Sequence, residues 1–194
     1  MRYDAGHKAR TRDKVLSEAA SMIREEGPHQ VSVSGLMARA GLTHGGFYAH
    51  FTSKDDLVAS AIGRMFEDVA AKLDPTELDR DPATGLKAYI DAYLSRSHRD
   101  HPNTGCPVPL LSADLPRLTP QARDVFGAGV ARLTGRLAKV LAALGRPDPE
   151  ALAGSMLSEM VGALALSRAV SDTAESDAIL RRSRKSLKQR AGLE

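Results

Sequence analysis

The stretch from Thr43 to Leu57 constrains the fold of this 194-residue chain more than any other. It follows a Gly41-Leu42 turn, and the Thr43 hydroxyl can cap a short helix. Phe47 and Phe51 are four residues apart, so they share one helical face, which must be the buried one. The exposed face consists of His44, Gly46, Tyr48 and His50. Because this face has hydrogen-bond donors, room for close approach and no acidic group, its best physical match is a DNA surface.

Two short helices are predicted in front of this stretch. An amphipathic stripe predicts a first helix that ends at Gly27-Pro28. The stripe consists of Val15, Leu16, Ala19, Met22 and Ile23. Ser32 then predicts the N-cap of a second helix, which Gly41 closes. The second helix and the short helix within residues 43–57, joined by a glycine-containing turn, are typical of a helix-turn-helix, although a plain helical hairpin has the same pattern.

Taken together, these positions resemble the N-terminal signature of the TetR family of one-component bacterial repressors. The matching residues are Ser32-Val33, Leu36, Ala40-Gly41-Leu42-Thr43, Gly45, Phe47-Tyr48-Ala49-His50-Phe51, Ser53-Lys54 and Leu57. The resemblance covers about residues 9 to 57 and implies an all-α fold. In that fold a three-helix helix-turn-helix domain precedes a larger helical bundle for effector binding and dimerisation. We expect residues 1–53 to form the DNA-binding domain with a basic N-terminal arm, and residues 54–194 to form the second domain.

The resemblance also implies roles for individual residues. Thr43, Tyr48, His50 and Lys54 match the family's usual phosphate contacts, and His44 and Gly46 occupy positions that face base edges. This sequence departs from the family pattern at Gly45-Gly46, which leaves few side chains for reading bases. We therefore expect His44, Arg39 and the N-terminal arm to carry more of the specificity. The predicted DNA-binding residues are Thr43, His44, Gly45, Gly46, Tyr48, His50, Lys54 and Arg39.

Basic residues are concentrated at the two ends of the chain, whose net charge is +3. The N-terminal arm has five cations against Asp4 and Asp13, and it either tracks phosphates or is a solvated tail. Its cations are Arg2, Lys8, Arg10, Arg12 and Lys14. Gly35 and Met37 depart from the residues more usual in the family's second helix, and no function is predicted for them.

The remainder of the chain is predicted to be helical. A helix should run from Lys54 to about Leu73, where Asp74-Pro75 breaks it, and an acidic linker should extend from there to Pro82. No alternating strand pattern follows, so residues 74–194 are interpreted as a helical bundle. In the family, the last two long helices pair with their two-fold mates, and the small residues of this C-terminal region fit that role or simple packing within one chain.

Eight residues are predicted to line an apolar effector pocket, although for any one of them core packing is the stronger explanation. They are Met65, Phe66, Tyr89, Tyr93, Cys106, Phe126, Met156 and Met160. Cys106 is the one cysteine. Close to His98, Arg99 or His101, its thiol would have a lowered pKa, as a redox or electrophile sensor needs, whereas a buried thiol would be inert. The resemblance of Gly105-Cys106-Pro107-Val108 to one TetR branch implies a cysteine that serves as a sensor in some members. We expect no metal site and no cofactor.

The preferred hypothesis is a cytoplasmic homodimeric repressor on a near-palindromic double-stranded DNA operator. A small molecule, an electrophile or an oxidant would release it. One alternative is a cysteine-dependent enzyme with His98 or His101 as base, but no supporting motif accompanies Cys106. Another is a constitutive DNA-binding dimer without an effector. No apolar run approaches the roughly 20 residues of a membrane span, so no membrane association is expected.

Overall fold

The computed structural model describes residues 2–72 and 80–193, and these residues form helices and turns without β-strands. The predicted all-α fold is confirmed. Helix α1 spans Arg2–Glu26 and ends at Gly27, whose φ is 88°. Helix α2 spans Val33–Arg39, a 3-10 helix follows at His44–Ala49, and α3 spans Lys54–Lys72.

Side-chain caps mark the start of most of the later helices. Helix α4 spans Pro82–Tyr93, α5 spans Arg96–Asp100, and the short α6 spans Val108–Leu111. Three long helices follow: α7 at Pro120–Ala143, α8 at Pro149–Ala169 and α9 at Thr173–Ala191. The capping residues are Asp81, Ser95, Thr119, Asp148 and Asp172, each of which accepts a hydrogen bond from a backbone N–H of the first turn.

One contiguous cluster of buried apolar side chains runs through the described residues. Helix α3 lies at its centre, because it packs against α1 on one side and α7 on the other. Helix α8 packs between α7 and α9. The domain boundary at residue 53 stays a prediction. Among the described residues, no helix combines the length and apolar character that a membrane crossing requires.

Two expectations about helix ends change. The basic arm is a solvated helix and not a disordered tail, because α1 is helical from Arg2 onward and residues 6–10 are exposed. Pro82 is the first residue of α4 rather than the last of a linker, as suits a proline whose missing N–H has no helical partner. The predicted break at Asp74-Pro75 and the linker up to Asp79 lie outside the described residues.

Candidate nucleic-acid interface

The segment that resembles a recognition helix is a 3-10 helix of six residues, His44–Ala49. Its tight winding is visible in bonds between residues three apart, from Gly46 N to Thr43 O at 3.0 Å and from His50 N to Phe47 O at 2.9 Å. Gly45 and Gly46 explain the departure from α-helix, since each glycine costs an α-helix about 1 kcal/mol relative to alanine. Thr43 occupies the N-cap position, but its side chain makes no capping hydrogen bond, so the prediction of a hydroxyl cap is wrong.

Two aromatic rings fix this segment to the interior. Phe47 and Phe51 are 1% and 2% exposed, and their rings stack with centroids 5.5 Å apart. The fully buried Met37 of α2 approaches from below, with its Cε 3.6 Å from the place a Cβ would take at Gly46. Packing therefore accounts for Met37, for which the sequence suggested no function. It also agrees with the predicted burial of the face that contains Phe47 and Phe51.

Helix α2 and its exit turn set the direction of the segment. The Ser32 hydroxyl caps α2 by accepting a hydrogen bond from Gly35 N at 3.1 Å. A Cβ at Gly35 would lie 2.8 Å from that hydroxyl oxygen, so the glycine leaves room for the cap. At the other end, Gly41 has a φ of 69°, which lets Leu42 N reach back to Met37 O at 2.8 Å.

The outward face carries polar groups in the predicted order. Tyr48 is 68% exposed, with its ring edge-on to Phe47 at 5.2 Å and to His44 at 6.4 Å. Thr43, His44 and Gly45 are exposed too, and Gly46 is half-buried. Because residues 43–50 include no carboxylate, nothing on this face repels a phosphate.

His50 differs from most of the other predicted contacts because it is half-buried and its Nδ1 has no hydrogen-bond partner in the part of the chain that the structure describes. Burial lowers its pKa, and the positive charges of Lys8, Arg12 and His7 on α1 lower it further. Arg12 also lies over the Phe51 ring at 4.8 Å and donates to Ser60 Oγ at 3.4 Å. The first turns of α1 thus bring cations to the edge of the surface. The sequence showed the excess of cations in the arm, but it did not show that they lie near His50 and Phe51.

Arg39 precedes the segment in the chain and Lys54 follows it. The two cations differ in the protein groups that bind them. Lys54 is exposed, and its Nζ donates to the carbonyl of His29 at 3.1 Å. Arg39 pairs with Glu18 at 2.8 Å and Glu25 at 3.0 Å, and these carboxylates raise its pKa. Arg39 would have to leave both glutamates to reach a base, so its role in specificity stays a prediction.

An ion-pair chain joins the surface-bearing helices to α3. Arg24 of α1, which is 7% exposed, donates to Asp68 at 3.2 Å and to the carbonyl of Met65 at 3.4 Å. Asp68 also accepts from Arg64 at 2.8 Å, and Arg64 pairs with Asp13 of α1. Partial burial makes the two pairs of Asp68 less sensitive to salt than pairs at the surface, whereas the Asp13 side chain is exposed.

The predicted effector-pocket residues are mostly packed in the interior. Met65, Met156 and Met160 are fully buried, Tyr93 and Cys106 are nearly so, and Tyr89 and Phe126 are partly buried. A groove of about 660 Å³ between α3 and α7 is lined by Phe66 but by none of the other seven residues. Their assignment to an effector pocket stays a prediction.

The expected lowering of the Cys106 pKa is wrong. The thiol is 2% exposed, and burial raises its pKa although nearby groups, Tyr93 foremost, act in the opposite direction. His98 does not act on the sulfur in the manner of a base, because its Nε2 accepts from the backbone N–H of Cys106 at 3.0 Å. Its Nδ1 lies 2.7 Å from the Tyr93 carbonyl, which assigns the ring proton to Nδ1.

The described residues contain no group of three or more His, Cys, Asp or Glu side chains that is arranged to hold a metal ion. His101 is exposed, and its Nδ1 lies 2.9 Å from the Ser97 carbonyl at the end of α5. His98 and His101 are therefore accounted for by contacts with backbone groups.

Comparison with known proteins gives consistent results. The family model described as "Bacterial regulatory proteins, tetR family" matches residues 15–61. The HTH-type transcriptional regulator LmrA of Bacillus subtilis is 28% identical over 106 residues, which cover 54% of this chain and 56% of LmrA. The HTH-type transcriptional regulator Rv0196 of Mycobacterium tuberculosis is 28% identical over 185 residues, which cover 89% of this chain and 92% of that protein. The crystal structure of E. coli NemR in its reduced form superposes with a TM-score of 0.81 at 19% identity, over 92% of this chain and 96% of NemR, and thus shares the fold.

Proposed function

Because the chain belongs to the TetR family of DNA-binding transcriptional regulators, we propose that it acts as a homodimeric repressor that grips a near-palindromic operator with the face of residues 43–50. One observation carries the proposal. Among the described residues, Tyr48 and Leu166 are the two large apolar side chains that are exposed. Tyr48 lies on a face without carboxylates. An exposed tyrosine beside a histidine is suited to phosphate contact.

Each of the predicted contacts has a definite part in the proposal. The Tyr48 hydroxyl and the Lys54 ammonium bind phosphates and set the register of the protein on the duplex. His44 reads a base edge, and Gly45 lets the backbone approach the groove. Lys8 and Arg12 at the start of α1 add further phosphate contacts, since they lie near enough to His50 to lower its pKa.

Release by an effector would act through α3. This helix begins at Lys54, within the proposed surface, and it packs against α7 further along. A ligand that binds better to one spacing of the two DNA-binding surfaces shifts the dimer toward that spacing. We favour a reversible small molecule over an electrophile or oxidant, because the buried Cys106 has little thiolate at neutral pH.

DNA selection with the purified protein, followed by affinity measurements on the selected duplex at several salt concentrations, tests the proposal. Lys54→Ala should weaken binding to every sequence and reduce the salt slope by about 0.9 for each protomer. Tyr48→Phe should weaken binding while it leaves the base preference unchanged. Lys185→Ala is the matched control, since Lys185 is an exposed lysine of α9 far along the chain. Failure to select any sequence, or equal loss in Lys54→Ala and Lys185→Ala, would contradict the proposed surface.

A further inference from the structure

The groove between α3 and α7 has the dimensions and lining of a ligand site. Its volume is about 660 Å³, within the range of roughly 300–1,000 Å³ that holds small organic molecules. Phe66, Leu133 and Val140 form an apolar floor, and all three side chains are buried. Pro82 at the start of α4 also lines the groove.

The charges at the mouth of this groove are unbalanced. Arg132, Arg136 and Lys139 of α7 line it, against the single carboxylate of Glu67. Their spacing of four and three residues puts the three cations on one side of the helix. In the described part of the chain none of them forms an ion pair, whereas the half-buried Arg64 and Arg99 each pair with carboxylates.

A buried polar group without a partner lies near the same cations. The hydroxyl of Tyr89 on α4 is inaccessible to solvent and finds no hydrogen-bond partner among the described residues. Burial raises the Tyr89 pKa, and Arg136 is the charge that opposes this rise, so the guanidinium lies within electrostatic reach of the phenol. Tyr89 does not itself line the groove, so an anionic oxygen bound at Arg136 would be held by the guanidinium.

We propose that this groove binds an amphipathic organic anion, with its carboxylate at Arg136 and its apolar body on Phe66, Leu133 and Val140. The apolar floor requires a hydrophobic body, and the excess of positive charge requires a negative head. A neutral ligand would leave the cations unused, and a cationic ligand would meet three like charges. The regulatory consequence rests on the proposed function: the ligand would touch Phe66 of α3, the helix that leads from Lys54.

Calorimetric titration of the full chain without DNA tests the site directly. Decanoate is the probe, with decanol as its neutral analogue, decyltrimethylammonium as its cationic analogue and butyrate as its short analogue, all at one ionic strength. We expect one decanoate per chain, bound at least tenfold more tightly than any of the other three. Equal binding of decyltrimethylammonium, or no binding of decanoate at millimolar concentration, would overturn the proposal.

Two variants with matched controls locate the binding. Arg136→Gln should weaken decanoate binding roughly tenfold, because hydrogen bonds to charged groups are among the strongest that side chains make. Arg123→Gln removes an exposed arginine of the same helix and should have no effect. Gly135→Leu should block the groove, since Gly135 lines it and a Cβ there meets no atom within 4 Å. Gly127→Leu, equally unobstructed but outside the lining, is its control. Equal effects of Arg136→Gln and Arg123→Gln, or of the two leucine variants, would place the binding elsewhere.

The same samples separate this proposal from the proposed function. Decanoate binding by a protein that binds no selected DNA would support the groove and contradict the regulator. DNA binding by a protein that ignores decanoate would support the regulator and overturn the groove. If both hold, decanoate should change the affinity for the selected duplex, and Gly135→Leu should abolish that change.

Discussion

Ser32 and Gly35 are a local pair whose residue types depend on each other. The Ser32 hydroxyl accepts from Gly35 N, and a Cβ at position 35 would approach that hydroxyl to 2.8 Å. Glycine is a poor residue for a helix, yet here the alternative to glycine competes with the cap. The sequence alone identified Ser32 as the cap but offered no reason for Gly35, because the reason is a distance between two side-chain positions.

Gly35→Ala should therefore leave stability nearly unchanged. Alanine gains about 1 kcal/mol of helix propensity, and displacement of the cap costs about as much. In a Ser32→Ala background no cap remains to be lost, so Gly35→Ala should stabilise by about 1 kcal/mol. Urea unfolding of the four proteins measures the cycle. The same effect of Gly35→Ala in both backgrounds would rule out the coupling.

His50 should make stability depend on pH. Its pKa in the folded chain is below the ordinary value of about 6.5, so the unfolded chain takes up the proton first as the pH falls. Stability should decrease as the pH falls from about 6.5 toward the folded pKa and should change no further below it. His50→Gln should lose less in melting temperature than the parent protein between pH 7.5 and pH 5.5. His29→Gln, which replaces an exposed histidine, is the control, and an equal effect of both changes would contradict the assignment.

At the scale of elements, caps and breakers in the sequence located the ends of the first two helices. Ser32 and Gly27 act as expected, because their effects depend on neighbours in the chain. The helical start of α1 was not predicted, since residues 2–14 have no apolar stripe. Its supporting contacts join distant parts of the chain, from Arg12 to Phe51 and from Asp13 to Arg64. Glu18 and Glu25 are also distant from Arg39 in the chain, so the sequence did not reveal that both carboxylates form ion pairs with it.

The candidate interface was predicted from the sequence in part, whereas the groove was not predicted at all. The exposure of Tyr48 and the burial of Phe47 follow from periodicity, and both were predicted. The groove was not, because apolar residues that pack and apolar residues that line a space have the same sequence pattern. Phe66 lines the groove, whereas its neighbour Met65 is fully buried. This difference depends on the space between α3 and α7, which the sequence pattern does not reveal.

Helix α7 contains two glycines that should respond in opposite ways to the same substitution. A Cβ at Gly129 would lie 2.4 Å from the Phe66 ring, whereas a Cβ at Gly127 meets nothing within 4 Å. Gly129→Ala should destabilise by roughly 1–3 kcal/mol through overpacking, and Gly127→Ala should stabilise by up to about 1 kcal/mol. Chemical unfolding checks both, and a stabilising Gly129→Ala would mean that Phe66 can move at little cost.

At the scale of the whole molecule, helix α8 presents an unusual outer face. Leu166 is 59% exposed and stands among small residues that are exposed or half-buried along the same helix. They are Ala151, Ser155, Ser158, Gly162 and Ala169. A stripe of this composition lets another helix approach closely, which agrees with the proposed dimer.

Leu166→Glu should convert the dimer into a monomer, because it would bury two like charges in a symmetric contact. Sedimentation at micromolar concentration should show the change, together with the loss of operator binding. Ser171→Glu introduces the same charge at an exposed position in the loop after α8 and should leave the dimer intact. A Leu166→Glu protein that still sediments as a dimer would place the dimer contact elsewhere.

The paired glycines at positions 45 and 46 have a consequence for the information that the operator must contain. In the proposed complex, a face with His44 as its main base-reading side chain would distinguish few bases in one half-site, so many half-sites would be nearly equivalent. Discrimination must then come from the arrangement of two half-sites on the duplex. An inserted base pair turns one half-site by about 35° relative to the other and should abolish binding, whereas most single base changes should be tolerated. For this protein we therefore expect the spacing of the two half-sites to contribute more to operator recognition than the identity of individual base pairs.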